Sequence, residues 1–354
     1  MSEFSNFCNM LREKSGMTIY YIAKASDMER TALNRMLIGK RIPKYEDVEQ
    51  FCGVIRANEK EKEHIRELYL MEKMGKKRYE NCRYIEKLIH ILDQDNEDWY
   101  SYETPEQTGK DYSSFAGEKN VVRNQIFDML EREYRQSDSG KIYTNFPVYD
   151  KILASAIRCY ENKYEKRIPL HYFHILNINP EQYYDVDCNL KVLYSALLWI
   201  FFKERSYIPY YTYSPLMLDD MKLQMMPWYL VTDDRVALIS DDFRQGIFLD
   251  DLETVSFYQK RMRVVQSQMR ELFSICEEPE GAGGENPLYS LWDLGIKPQK
   301  LNLELYEKSV VISKYNASKR LKEKAFNIVI RESSLCEAFQ DYFIYQEEMR
   351  GHSA

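Results

Sequence analysis

Apolar positions near the start of the chain recur with a helical period. Phe4, Phe7, Cys8 and Leu11 stand at i, i+3, i+4 and i+7, which puts them on one helical face, and Gly16 follows as a stop signal. Thr18 occupies an N-cap position before "IYYIAKAS", in which Ile22 and Ala23 face inward. After the break Ser26–Met28, a third helix runs from Glu29 to about Ile38 with Leu33, Met36 and Leu37 as its buried stripe, and Gly39 ends it. Pro43 opens a fourth segment with Val48, Phe51, Cys52 and Ile55 on one face, and "EKEKEHIRELYLMEKM" forms a fifth. The helical pattern continues through residues 76–95, where Tyr84, Leu88, Ile91 and Leu92 form the stripe.

The pattern then changes. Residues 95–120 are polar, lack periodicity and contain Pro105, which reads as a linker or as a loop packed by its aromatics. Beyond them strand-like and helix-like runs alternate. A helix over about 121–135 is followed by the strand "KIYTNFPV", the helix "YDKILASAIRCYENK", the strand "IPLHYFHILN" and the apolar helix "LKVLYSALLWIFFKE". Three short apolar runs, "WYLVTD", "VALISD" and "GIFLD", precede a helix over 252–275. After the glycine-rich loop 277–287 come "SVVISK", "FNIVIRE" and a last helix, "SLCEAFQDYFIYQEEM". Strands separated by helices of ten or more residues imply an α/β layered body. The expected fold class is therefore α + α/β: a five-helix head over 1–75, a connecting helix and linker over 76–120, and a larger α/β domain over 121–350.

Charge sharpens this division. The 354-residue chain has a formal net charge of −7, with 44% hydrophobic and 30% charged residues, an ordinary globular composition. Residues 1–78 carry 16 Lys+Arg against 12 Asp+Glu (+4), which leaves 33 against 44 (−11) for the remainder. A basic head on an acidic body points the head toward a polyanion. The longest apolar run, Val192–Phe202, lies between Lys191 and Lys203 and is too short to span a bilayer. The first residues lack the apolar core of a signal peptide, so the expectation is a cytoplasmic protein without a membrane partner. Seven scattered cysteines form no C-x-x-C pair, and reduced thiols fit that compartment. His171 and His174 would face opposite sides of a strand, so a structural histidine pair outweighs a metal site there.

Two short helices joined by a three- or four-residue turn are the helix-turn-helix signature. The segment "MTIYYIAKASDMERTALNRMLIGKRIP" resembles the XRE family of the lambda-repressor/Cro type, whose pattern is roughly T-Q-x-x-L-A-x-x-S-G-[VL]-S-x-x-T-[LI]-S-x-x-[LI]-x-G-[KR]-x-x-P. Thr18, Ile22, Ala23, Ser26, Met28, Leu33, Leu37, Gly39, Lys40 and Pro43 fall at matching positions. The likeness covers about residues 4–70. With Leu33 and Leu37 facing inward, Glu29, Arg30, Thr31, Asn34 and Arg35 remain on the outer face, and Arg and Asn suit guanine and adenine edges. Lys40, Arg41 and Lys44 follow the helix and are placed to meet phosphates. The chain departs from the pattern at Ile19, where Gln is frequent, and at Glu29, where Ser often caps. Glu29 could accept from a cytosine amine or simply favour the helix dipole. The DNA-binding set expected from sequence is Thr18, Glu29, Arg30, Thr31, Asn34, Arg35, Lys40, Arg41 and Lys44.

Signs of catalysis are sparse. The chain has no Walker A loop, no G-x-G-x-x-G after a strand and no G-x-S-x-G. "GIFLDDLETVSFYQKRM" and "NIVIRESSLCEAFQDYF" echo each other as strand, acidic turn and aromatic helix. A duplicated α/β body behind a helix-turn-helix resembles regulators with a phospholipase-D-like domain, but the His-x-Lys-x4-Asp motif of those enzymes does not occur. The tripeptide Trp228–Leu230 is similar to the signature of WYL sensor domains, without its arginine pattern, and reads first as part of a buried strand. The cluster "SYIPYYTYS" fits packing at a sheet edge better than an amphipathic ligand pocket. The expectation is a bacterial transcriptional regulator, not an enzyme and without a cofactor. It would bind a double-stranded operator as a homodimer, and its body would dimerise or sense a small molecule or peptide. A DNA-targeted phosphodiesterase or nuclease, and a regulator controlled by a protein partner, are the alternatives.

Overall fold

The computed structural model describes residues 2–93, 114–136, 140–147, 151–164, 171–178, 186–202, 207–213, 225–276, 286–315 and 324–351. Most of the polar stretch 95–120 and of the glycine-rich loop 277–287 lies outside the described residues. The chain forms two compact units, Met1–Glu86 with Ala338–Ala354, and Lys87–Glu337.

The first unit contains α1 (Glu3–Ser15), α2 (Ile19–Ala25), α3 (Arg30–Leu37), α4 (Tyr45–Val54) and α5 (Glu59–Met74). These are the five helices expected from the apolar spacing. Phe4, Cys8, Leu11, Ile22, Ala23, Leu33, Met36, Leu37, Val48, Phe51, Cys52 and Ile55 are all buried, and Phe7 is half-buried. Phe4 meets Tyr69 of α5 edge-on with ring centroids 5.8 Å apart, and Tyr45 lies 5.4 Å from the same ring.

The ends of the first four helices share one device. Gly16, Asp27, Gly39 and Arg56 follow α1 to α4 in the left-handed region, at φ 68°, 54°, 71° and 54°. That conformation turns the next amide back onto the helix: Met28 N–H donates to Ala23 O, Lys40 N–H to Arg35 O and Ala57 N–H to Cys52 O. Asp27 and Arg56 carry a Cβ into this region, where glycine is the unstrained choice.

The same unit takes α6 (Lys76–Asp93) as far as Glu86, and α11 (Ser333–Gly351) from Ala338 onward. Tyr79 of α6 meets Tyr345 of α11 edge-on at 6.3 Å, Gln346 donates to Glu86 at 2.9 Å, and Arg78 pairs with Asp341 at 3.3 Å. The buried face of α6 is Tyr79, Cys82, Ile85, Leu88, Ile89 and Leu92, whereas Tyr84 and Ile91 are only half-buried. The stripe expected over Tyr84, Leu88, Ile91 and Leu92 is thus rotated toward Tyr79 and Cys82 by the α11 aromatics Tyr342 and Tyr345.

The second unit holds two sheets. One has eight strands in the order β1-β7-β6-β5-β2-β3-β4-β8, formed by Phe115–Ala116 (β1), Lys141–Thr144 (β2), His171–Ile178 (β3), Tyr207–Tyr213 (β4), Trp228–Val231 (β5), Val236–Ile239 (β6), Gly246–Leu249 (β7) and Arg270–Glu271 (β8). Strands β2, β3 and β4 run parallel, and α8 (Lys151–Tyr164) and α9 (Val186–Phe202) lie between them in sequence, the crossover that parallel pairing requires. The other pairings are antiparallel. α7 (Lys119–Gln136) packs on α8, and α10 (Leu252–Gln268) on β5 and β6. The five-stranded sheet is antiparallel throughout, in the order β10-β11-β12-β13-β9, from Phe273–Cys276 (β9), Tyr289–Ser290 (β10), Leu301–Leu305 (β11), Val310–Tyr315 (β12) and Lys324–Ile330 (β13).

Each strand expected from sequence has a counterpart, although β2 stops at Thr144, short of the strand expected to Val148, with residues 145–147 not strand, and one helix is shorter than expected. α10 ends at Gln268, where Met269 is extended, and residues 270–276 form β8 and β9 instead of the rest of a helix to 275. Their partners are β4 and β13, and strand pairing with such distant segments overrides local helical periodicity. The echoing segments 246–262 and 327–343 enter sheets of different strand order, one mixed and one antiparallel. The tyrosine-rich stretch is β4, next to the sheet edge and covered there by the two-residue β8, with Tyr207, Tyr210 and Tyr211 buried.

Candidate nucleic-acid interface

The candidate interface is built on α2 and α3. The Thr18 hydroxyl accepts from Tyr21 N–H at 3.2 Å and starts α2, as a threonine N-cap should. Leu33, Met36 and Leu37 hold α3 to the core, which leaves Arg30, Thr31, Asn34 and Arg35 exposed. Thr18, Glu29, Lys40, Arg41 and Lys44 are exposed as well, so all nine residues singled out from sequence reach solvent.

Their local bonding differs. Thr18 spends its oxygen on the α2 cap. Glu29 stands at the N-cap of α3 without capping a backbone amide, and its carboxylate instead accepts from the Thr31 hydroxyl. These two members of the set are therefore engaged with each other.

The loop that follows α3 is fixed at both ends. The Asn9 side-chain amide donates to Leu37 O at 2.5 Å, and the Tyr69 hydroxyl donates to Pro43 O at 3.2 Å. A Cβ on Gly39 would lie 3.0 Å from Ser5 Oγ, so this position needs glycine both for its φ and for the close approach of α1. Lys40 and Arg41 are thereby held on an anchored turn.

Between residues 18 and 44 six bases (Lys24, Arg30, Arg35, Lys40, Arg41 and Lys44) stand against two acids, Asp27 and Glu29. Among the described residues none of these bases has a carboxylate at ion-pair distance. Elsewhere in the same unit several cations are paired: Lys14 with Glu61 at 2.6 Å, Lys62 with Glu59 at 2.7 Å, and Arg66 with Glu49 at 3.8 Å. The α2–α3 side and its following turn thus concentrate positive charge that can attract a polyanion.

Sequence spacing overlooked three contributors. Asn9 lies on α1, and its bond to Leu37 spans 28 residues. Tyr20 and Tyr21 are 64% and 57% exposed on the first turn of α2, with hydroxyls of the kind that bond phosphate oxygens. Two adjacent tyrosines on a short helix cannot both face inward, and that signal was present in the sequence.

The second unit contains buried polar groups of a different character. His174 Nε2–H donates to Phe146 O at 2.6 Å, and the Tyr207 hydroxyl donates to Nδ1 at 3.0 Å, so the neutral ring is satisfied on both sides. Burial lowers its pKa to about 4. His174 is a structural histidine, and His171 points to the opposite face of β3. Glu133 of α7 is buried, and one oxygen accepts from Asp233 N–H at 3.1 Å. Burial, with the nearby Asp233 and Asp234 carboxylates, raises its pKa to about 7. Burial also pushes up the thiols of Cys8, Cys52, Cys82 and Cys336, which keeps them protonated and weakly nucleophilic. Among the described residues no group of three His, Cys, Asp or Glu side chains is placed to hold a metal, and no helix is long and apolar enough to cross a membrane.

Comparison with known proteins agrees with the first unit. Residues 6–65 match the family model of a helix-turn-helix domain, so the chain carries such a domain at its N-terminus, followed by the larger body of sheets and helices. Among solved structures the chain is similar to that of TrmBL2, an archaeal chromatin protein described as showing a novel mode of DNA binding. The identity is 11%, over 72% of this chain and 88% of that one, with a TM-score of 0.27. So low a score leaves the functional reading to the residues themselves. No curated protein matches the sequence significantly.

Proposed function

We propose that the chain is a sequence-specific transcriptional regulator of the XRE type that binds a double-stranded DNA operator through α3. The observation that carries this reading is the group of six exposed cations without carboxylate partners on and around a helix whose outer face offers Arg30 and Asn34. The N-terminal end of such a helix fits a major groove, where Arg and Asn pair with guanine and adenine edges. Lys40, Arg41 and Lys44 contact phosphates and set the register. The protein acts as a homodimer, because one helix in one groove gives little specificity and two symmetric heads match two half-sites. The second unit dimerises, takes up a small-molecule or peptide effector, or does both, and carries out no catalysis. An effector changes operator affinity only by binding one arrangement of the paired heads better than another.

Footprinting of the full chain tests the reading. Arg30→Ala combined with Asn34→Ala should abolish protection of a selected operator while the circular dichroism spectrum stays that of the parent. Protection that is unchanged in the double variant would remove α3 as the reading helix.

A further inference from the structure

The N-cap residue of α3 and the first two residues of the helix constrain which base they can meet. Glu29 is extended, at φ −63° and ψ 130°, and occupies the N-cap position without bonding a helix amide. Its carboxylate accepts from Thr31 Oγ1, two residues on. Both side chains are exposed, and among the described residues no cation lies at ion-pair distance from Glu29, although Arg30 adjoins it in sequence. A carboxylate offers about four lone-pair sites and the Thr31 hydroxyl fills one of them. What remains is an accept-only group tethered to the helix end.

Such a group tolerates few neighbours in a major groove. Phosphate oxygens, guanine O6 and N7 and thymine O4 are all acceptors and repel it. The adenine N6 amine attracts it, but the adjoining N7 repels the second carboxylate oxygen. Of the two bases with an amine in the major groove, cytosine alone carries no acceptor of its own on that edge. Arg30 and Asn34, one helical turn apart on the same face, suit purines.

We infer that Glu29, held by Thr31, is a specificity-determining residue that reads a cytosine amine at one position of the operator and rejects the other three bases there. This rests on the proposed role of α3 and adds to it the identity of one base. The competing role of Glu29 is that of a negative charge favourable to the helix dipole, which carries no base preference.

The test is selection of binding sites from a random duplex pool with the full chain, comparing the parent with Glu29→Ala, Glu29→Gln, Thr31→Val and the Arg30→Ala/Asn34→Ala double variant. The parent should enrich cytosine at one position. Glu29→Ala should lose that preference by about tenfold with every other position unchanged. Glu29→Gln, nearly isosteric and so free of the risk that the alanine variant unfolds, should move the preference to adenine, because an amide both donates to N7 and accepts from N6. Thr31→Val should weaken the cytosine preference without abolishing it. If Glu29→Ala and Glu29→Gln select the parental sequence at every position, the inference is overturned and Glu29 serves the helix alone. If instead the parent enriches no sequence and the double variant binds DNA as the parent does, the proposed function fails, and this inference with it.

Discussion

The side-chain amide of Asn9, on the first helix, donates to the carbonyl of Leu37, the last residue of the candidate reading helix, at 2.5 Å, and to Ser5 O at 3.2 Å. One side chain thus fixes the C-terminal end of α3 to α1 at the point where the basic turn begins. Removing it leaves a part-buried carbonyl without this donor, which costs about 1 kcal/mol. Asn9→Ala should lower stability by that amount in urea denaturation. Asn9→Asp, which sets a carboxylate against two carbonyls, should lower it further. A ranking with the aspartate variant above the alanine variant would contradict this role.

Lys40 lies on the anchored turn, exposed and without a carboxylate partner among the described residues. In its proposed role as a phosphate contact it would add affinity for any duplex. Lys40→Ala should weaken binding to operator and unrelated DNA alike and reduce the slope of log K against log salt by about one unit. A loss confined to the operator would make Lys40 a base-reading residue instead.

Asp27 holds φ 54° in the turn between α2 and α3, at the place where the family pattern has glycine. Its side chain is exposed, so removing it leaves no cavity. Asp27→Gly should relieve the strain of the left-handed conformation, offset in part by the greater freedom of glycine in the unfolded chain, for a net gain of roughly 0.5 kcal/mol. Deleting an acid beside six bases should also tighten DNA binding. Thermal unfolding and anisotropy titration measure the two effects separately.

Glu133 and His174 give opposite pH dependences. The Glu133 pKa rises from 4.5 to about 7 on folding, so its contribution to stability is lost as pH rises from 4.5 through 7. The His174 pKa falls from 6.5 to about 4, so stability is lost as pH falls through that window, by about 1.4 kcal/mol per pH unit. Glu133→Gln can keep the bond from Asp233 N–H and present an amide to the neighbouring carboxylates. At pH 8 it should be more stable than the parent by about 1–3 kcal/mol, and the difference should vanish below pH 4.5. With the Glu133 slope removed, the variant should expose the His174 slope between pH 6.5 and 4. Denaturation midpoints measured across pH 4–8 check both signs.

The head was legible because its determinants are local. Leu33, Met36 and Leu37 lie within one or two turns of one another, so a helical period alone marks them as buried and leaves Arg30, Asn34 and Arg35 outside. Gly39 and Thr18 act within a few residues of themselves, and the structure places both as caps or stops. The charge on the turn after α3 could likewise be counted in the sequence, because exposed bases need no partner to be recognised as bases.

What tertiary structure alone decided concerns partners distant in sequence. Periodicity says that a face of α6 and of the last helix is buried, but not against what. The bond from Gln346 to Glu86 joins residues 260 apart and makes the end of the chain part of the N-terminal unit. Residues 270–276 continue a helical pattern, yet pairing with β4 and β13 turns them into strands. The same holds at the interface: sequence exposes the bases of α3, while the bonds from Asn9 and Tyr69 that fix the following turn come from α1 and α5. A repeating apolar position fixes which side of an element turns inward, and the packing partner is chosen only when the whole chain has collapsed around it.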